Sequence, residues 1–315
     1  MPHWLIKSGM QHGISWLPAS EFWYELVQRH LTRSALLSES GFETRVQEAA
    51  RYLELFRNHQ PAAPQDFTAL EVGTGWYPTF PLAFYLCGAT EIWTFDIAGY
   101  VRRERLALVL DFFCAAAERG TLKQLLPAVR PDRIARLREL RASARQESPA
   151  QCLARLNIHL KVQDASETGL PAHSVDFIFS IGVLEYVPRS VLPRLLAEFR
   201  RVASARSLMA HGLDLADEFA KFDSNITDFN FLRFSERQWR WRNSPITPNN
   251  RLRVPDYREL IERAGFLIQA EENRLGSPEE LRQIPLAQEF RHYAPADLLV
   301  LYSLITALPA GAQTR

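Results

Sequence analysis

Apolar residues recur at helical spacing from Glu39 to Phe56, with Phe42, Val46, Ala49, Leu53 and Phe56 on one stripe. Similar spacing predicts a second helix over Glu21–Arg33. Together these segments predict a helical cap over residues 1–66. It closes in Asn58-His59-Gln60-Pro61-Ala62-Ala63-Pro64, where prolines stop helix propagation. The period then changes. Phe67–Val72 is a short apolar run ending at Gly73-Thr74-Gly75, the pattern of a buried strand that enters a tight loop.

The alternation continues along the chain. Pro81–Cys87 predicts a helix, and Glu91–Asp96 a strand that ends on a carboxylate. A long helical stretch from about Arg102 to Leu156 is interrupted near Pro127 and Pro131. Strands are expected at Ile158–Val162, with Asp164 just beyond, at Val175–Ser180, and at Ser207–Leu213 near Asp214; a helix is expected at Ser190–Ala203. Residues 215–252 break this rhythm and are rich in aromatic rings, including Phe219, Phe222, Phe229, Phe231, Phe234, Trp239 and Trp241. A helix at Pro255–Ala264, capped by Gly265, precedes a closing strand pair at Phe266–Ala270 and Leu298–Ile305. Repeated strand–helix units argue for an α/β, doubly wound, mostly parallel sheet. The expected organisation is a cap over 1–66 and a Rossmann-like domain over 67–315, with a helical insertion at 98–157 and an aromatic lid at 215–252.

Composition narrows the classes. Thirty-seven basic residues against 36 acidic ones leave a net charge of +1, without the basic field of a nucleic-acid binder, although Arg130–Arg145 is locally basic. The three cysteines, Cys87, Cys114 and Cys152, are widely spaced. They form neither a disulfide framework nor a paired metal motif, so a reducing cytoplasm and no metal are expected. Met1-Pro2-His3-Trp4 does not begin a secretory leader. The apolar run Leu298–Leu308 is too short to span a bilayer and carries Tyr302, Ser303 and Thr306. Neither a nucleic acid nor a membrane is an expected partner.

The sharpest chemical signal is Leu70-Glu71-Val72-Gly73-Thr74-Gly75-Trp76-Tyr77-Pro78, with Asp96 placed 23 positions after Gly73. Glycines at these positions let the backbone turn sharply and approach a ligand. A carboxylate at the end of the second strand can accept hydrogen bonds from both hydroxyls of a ribose. A dinucleotide fingerprint would place a third small residue where Pro78 stands. Glu71 at the mouth repels a pyrophosphate and favours an ammonium or sulfonium. The balance points to S-adenosylmethionine rather than NAD. A plainer alternative has Glu71 simply capping the loop.

Over residues 67–270 the chain resembles the class I S-adenosylmethionine-dependent methyltransferases. The resemblance implies a seven-stranded sheet with its last strand antiparallel. It implies a cofactor site made by Glu71, Gly73, Thr74, Gly75, the ribose acid Asp96 with Ile97, the adenine-edge acid Asp164 with Ala165, and Ser180 in the motif after the fourth strand. Tyr77 replaces the family's third glycine. A small-molecule acceptor is expected, with Tyr186 and His211 as candidate catalytic residues and Asp214 and Glu185 as further candidate bases. Each has a plainer alternative: Asp164 starts a turn, Glu185 is a helix-start charge, Tyr186 packs in the core, and His211 is a satisfied core histidine. N-terminal Lys7, Gln11, His12, Trp16 and Trp23 resemble the cap of small-molecule enzymes. The capped layout also resembles the azetidine-2-carboxylate synthases, which close S-adenosylmethionine on itself. An NAD(P)-linked oxidoreductase and a non-catalytic nucleoside-binding protein stand further back.

Overall fold

The computed structural model describes residues 37–59, 66–221, 223–243 and 248–311. The expected helix Glu21–Arg33, the N-terminal residues Lys7 to Trp23, the linker from Gln60 to Pro64 and Phe222 lie outside the described residues.

Strands β1 (Phe67–Val72), β2 (Ala89–Asp96), β3 (Ile158–Val162), β4 (Val175–Ile181), β5 (Ala203–Asp214), β6 (Phe266–Leu275) and β7 (Val300–Pro309) form one sheet in the order β3-β2-β1-β4-β5-β7-β6. The α/β, Rossmann-like class expected from the alternation is therefore the observed one. β1 pairs in parallel with β2 and β4, and β2 with β3, so these four strands end at one edge of the sheet. That edge is where open α/β sheets hold ligands.

Among the described residues the chain divides into two compact units, one of residues 37–180, 197–210 and 308–311, the other of 181–196 and 211–307. In the first unit the helix Glu39–His59 buries Phe42, Val46, Ala49, Tyr52, Leu53 and Phe56, the stripe read from the sequence together with Tyr52. Phe56 stacks on Phe177 of β4 at 5.0 Å, and Phe84 stacks on the same ring at 5.6 Å. Phe84 belongs to the helix Thr79–Leu86, all eight residues of which are buried. A helix apolar on every side needs neighbours all round, and here it sits in the core that fixes the start of β1.

The long helical stretch is four helices, Arg103–Glu118, Leu122–Leu125, Pro131–Ser143 and Pro149–Ala154. Two of them begin on a proline, where the missing N–H costs nothing. The basic run is partly spent within the protein: Arg133 donates to the carbonyls of Tyr85 and Ala89, and Arg141 and Arg145 pair with Asp111.

In the second unit most of the expected lid aromatics build their own core. Phe219, Phe229, Phe231 and Trp239 are buried with Leu232, Leu281 and Leu301, whereas Trp241 is 79% exposed. Gly276 packs tightly here: a Cβ would lie 2.6 Å from both Phe229 and Leu301, so these core side chains would have to shift to admit one. Several expected strands differ from those observed: β2 opens at Ala89 rather than Glu91, and β5 at Ala203 rather than Ser207. Residues 298 and 299 are not strand: Pro295 opens a short helix, Pro295–Leu298, and Leu299 caps it before β7. β6 runs on to Leu275 through polar positions that are largely exposed. Among the described residues no helix is long and apolar enough to cross a membrane.

Candidate functional site

The glycine loop after β1 turns through two left-handed positions, Gly73 at φ 86° and Gly75 at φ 64°, where a side chain would be strained. The Gly73 N–H donates to the Phe95 carbonyl at 2.7 Å, tying the loop to β2. A Cβ on Gly75 would meet nothing within 4 Å, so the loop borders open space there. Tyr77, in place of a third glycine, is buried and its hydroxyl accepts the Leu37 N–H. The loop thus accommodates a large residue by directing it inward.

Glu71 pairs with Thr94 across the β1–β2 ladder. The Thr94 hydroxyl donates to Glu71 Oε2, and the Thr74 hydroxyl bonds to that of Thr94. All three residues are buried. Burial lifts the Glu71 carboxyl to about 8; the Thr94 hydrogen bond opposes this rise and the charge of Asp96 adds to it. The charge of Arg45 also opposes the rise, and at about 8 Glu71 is mostly protonated at neutral pH.

Asp96, half-buried at the end of β2, accepts the Gly75 N–H at 2.9 Å through one oxygen and the Ala98 N–H at 3.2 Å through the other. One carboxylate therefore fixes both loops at this sheet edge. The next residue, Ile97, is 84% exposed, and Val162, in register with Asp96 on β3, is 60% exposed. Two large apolar side chains thus stand in water beside an acid that organises a glycine loop. Asp164 follows β3 and accepts both the N–H and the hydroxyl of Ser166, at 2.9 and 2.8 Å, which starts the short turn Ala165–Glu167. Ser180, fully buried in β4, pairs with Val72, and its carbonyl accepts the Tyr52 hydroxyl. The structure thus ties Glu71 to Thr74 through Thr94, Gly73 to Phe95 and Gly75 to Asp96, all where the glycine loop meets β2. Ile97, Asp164 and Ala165 follow the ends of the neighbouring strands, and Ser180 lies near the end of β4.

The other candidate residues lie in the second unit. Glu185 and Tyr186 occupy a single turn, Leu184–Tyr186, held by Asn250, whose amide donates to the carbonyls of Leu184 and Val187 at 2.8 and 2.9 Å. The Tyr186 hydroxyl donates to Glu218 Oε2 at 3.1 Å. Lys221 bridges Asp214 at 2.8 Å and Glu218 at 2.9 Å. Burial, then the charges of Glu218 and Glu185, push the Tyr186 hydroxyl well above the ordinary range of a phenol. Burial lifts Glu185 to about 8, its own backbone N–H opposing and Asp214 adding. His211 is fully buried within β5, and burial alone pulls its imidazole down to about 3. Tyr186 also lines a cavity of about 570 Å³, whose wall includes Trp239, Asn250, Arg251, Asp256 and Tyr293.

Sequence reasoning missed Thr94, Glu218, Lys221 and Asn250. Glu218 and Lys221 carry a readable signal, opposite charges three residues apart. Thr94 becomes visible only once strand register is known, and Asn250 only once the turn it clamps is placed.

Residues 133–210 match the family described as "Methyltransferase domain". The match begins in the helix Pro131–Ser143 and takes in β3, β4 and most of β5. No curated protein matches the chain. Among solved structures, the chain is similar to a TehB-like S-adenosylmethionine-dependent methyltransferase from Corynebacterium glutamicum, at 14% identity over 93% of this chain and 100% of that one, with a TM-score of 0.41. It is also similar to geranyl diphosphate C-methyltransferase from Streptomyces coelicolor, at 13% identity over 84% of this chain and 81% of that one, with a TM-score of 0.43.

Proposed function

We propose that this chain, which carries a methyltransferase domain on the class I S-adenosylmethionine-dependent fold, methylates a small molecule. The observation that carries the reading is Asp96, which binds the glycine loop through Gly75 while standing beside the exposed Ile97. A domain of this kind implies S-adenosylmethionine, which supplies a methyl group on a positively charged sulfur, already activated for displacement.

The residues present fit that molecule. Asp96 has the charge and position to accept from ribose hydroxyls while it keeps its backbone partners, since a carboxylate has about four acceptor sites. Ile97 offers apolar contact to the base, and Asp164 an acceptor for an exocyclic amine. Gly75 borders open space that leaves room for the methionine portion. Glu71 is a dormant acid: a positive charge arriving nearby favours its ionised form and is stabilised by it in turn.

The reaction needs alignment more than chemistry from the protein, because holding nucleophile and methyl carbon in line supplies most of the acceleration. The acceptor's lone pair forms the new bond to carbon, and the carbon–sulfur bond breaks with its electron pair left on sulfur. Where the acceptor atom bears a proton, a side chain takes it. Glu218, hydrogen-bonded to the Tyr186 hydroxyl, is our candidate for that base, with Tyr186 as an orienting donor. The cavity that Tyr186 lines would receive the body of the acceptor.

Incubating the protein with S-adenosylmethionine, alone and with a metabolite extract, tests the reading by mass spectrometry. S-adenosylhomocysteine formed only with extract is the expected result. Methylthioadenosine and a cyclic amino acid formed without extract would replace methyl transfer by self-cyclisation, and tight NADH binding without S-adenosylmethionine binding would overturn both.

A further inference from the structure

Among the described residues of the second unit, Asp214 and Glu218 set two carboxyls around the ammonium of Lys221, and Glu185 joins the group through the Asp214 backbone. Lys221 Nζ lies 2.8 Å from Asp214 Oδ2 and 2.9 Å from Glu218 Oε2. Glu218 Oε2 also takes the Tyr186 hydroxyl at 3.1 Å, and the other Asp214 oxygen accepts the Ala216 N–H. Glu185 supplies the independent sign of a missing ligand. It is 2% exposed, its Oε1 accepts the Asp214 N–H at 3.3 Å, and its Oε2 is buried with no hydrogen-bond partner. A buried polar atom without a partner is costly, and such atoms in native proteins mark strain, a functional role or an absent guest. A guest carrying positive charge favours the ionised form of this carboxyl, which lies against Asp214, and gains a charge-assisted hydrogen bond from it.

We propose that this constellation is a binding site for a small alkylammonium group, with Lys221 as the internal cation that holds the site in the absence of the guest. Lys221 is suited to that part. It comes from a short turn, Glu218–Lys221, and its side chain is 45% exposed, so it can swing into water when displaced. Tyr186 links this group to the cavity, because it lines the cavity and its hydroxyl reaches Glu218. An amine with a modest organic body can therefore place its charge among the acids and its body in the cavity. A carboxylate or phosphate is repelled by Asp214 and Glu218, and a neutral alcohol gains only ordinary hydrogen bonds. The inference rests on the methyltransferase reading for its meaning, since it makes the acceptor an amine, but the binding site can be tested without turnover.

The test is a nuclear magnetic resonance titration of the full chain with butylamine, 1-butanol and butyrate, with S-adenosylhomocysteine present throughout. Butylamine should bind, with shifts at Tyr186 and Glu218, and butanol and butyrate should bind at least about tenfold more weakly, the difference one charge-assisted hydrogen bond makes. Lys221→Met should tighten butylamine by removing its competitor, and Glu218→Gln should weaken it by about tenfold. Butylamine binding no better than butanol to the wild type and to Lys221→Met would overturn the ammonium site; the wild-type comparison stands even if a variant folds poorly. Binding of S-adenosylhomocysteine itself, measured separately by calorimetry, keeps the two readings apart. Its failure sinks the methyltransferase assignment and leaves the amine result to decide the site.

Discussion

Thr94 and Glu71 face each other across the β1–β2 ladder, and the threonine hydroxyl donates to the glutamate. Thr74 joins them from the glycine loop, so a strand residue, its neighbour and the loop share one buried hydrogen-bond chain. Thr94→Val removes the middle hydroxyl and leaves two buried groups short of a partner, at a cost of about 1–3 kcal/mol. Thr94→Ser keeps the donor and should recover most of that. Urea denaturation of the three proteins measures both effects, and equal midpoints for wild type and Thr94→Val would mean the chain contributes nothing.

The same carboxyl gives stability a pH dependence. Burial raises Glu71 from its ordinary 4.5 to about 8 in the folded state. An acid raised in this way binds its proton more tightly folded than unfolded. Its contribution is complete below the unfolded value and is lost as pH rises through the folded one. Glu71→Gln removes the titration, so its stability relative to wild type should improve from about pH 5 to about pH 8. Denaturation midpoints that run parallel across that window would refute the shift.

Asp96→Ala acts on a loop and a ligand together. It takes the acceptor from the Gly75 and Ala98 N–H groups and from any ribose bound there. Affinity for S-adenosylhomocysteine should fall by roughly 1–3 kcal/mol. Calorimetry checks this directly, and unchanged affinity would remove the ribose role.

Ile97→Ala separates binding from folding. The side chain is 84% exposed, so folding stability should stay within about 0.5 kcal/mol of wild type. If the adenine ring covers Ile97, the ligand should lose on the order of 1 kcal/mol of affinity. A loss of stability without a loss of affinity would return Ile97 to the fold.

The buried strands were legible because they are buried on both faces: Phe67–Val72 and Val175–Ile181 read as apolar runs without needing a partner to explain them. β6 was read short for the opposite reason. It lies at the sheet edge, and Gln269, Glu272 and Asn273 are polar and exposed, so the run loses its strand signature while the backbone continues. The glycine loop and Asp96 could be found because their spacing along the chain reflects the strand–loop–strand geometry itself. Arg253 could not. It is fully buried and donates to the carbonyls of Leu215, Leu298 and Val300, three points that come together only in the finished fold. The Glu218–Lys221 pair was visible as a charge pattern, yet its link to Tyr186 depends on where the irregular 215–252 segment runs.

His211 offers a test of how far burial alone can carry a titration. Its ring lies fully inside β5, and burial pulls it from the ordinary 6.5 to about 3. The unfolded chain takes up a proton at this site below about 6.5 and the native one does not, so stability falls as pH drops through that window towards 3. His211→Leu should reduce that acid-side slope, measured by denaturation at several pH values. In the wild type, the His211 ring resonances should not titrate between about pH 5 and pH 8, because an imidazole that takes up its second proton only near pH 3 stays neutral throughout that window. The same depression bears on chemistry: a ring that accepts a proton only near pH 3 is a weak base at neutrality, so any limb of the pH–rate profile due to His211 belongs far below the ordinary histidine range. A ring that titrates near 6.5 would restore His211 as the stronger candidate base.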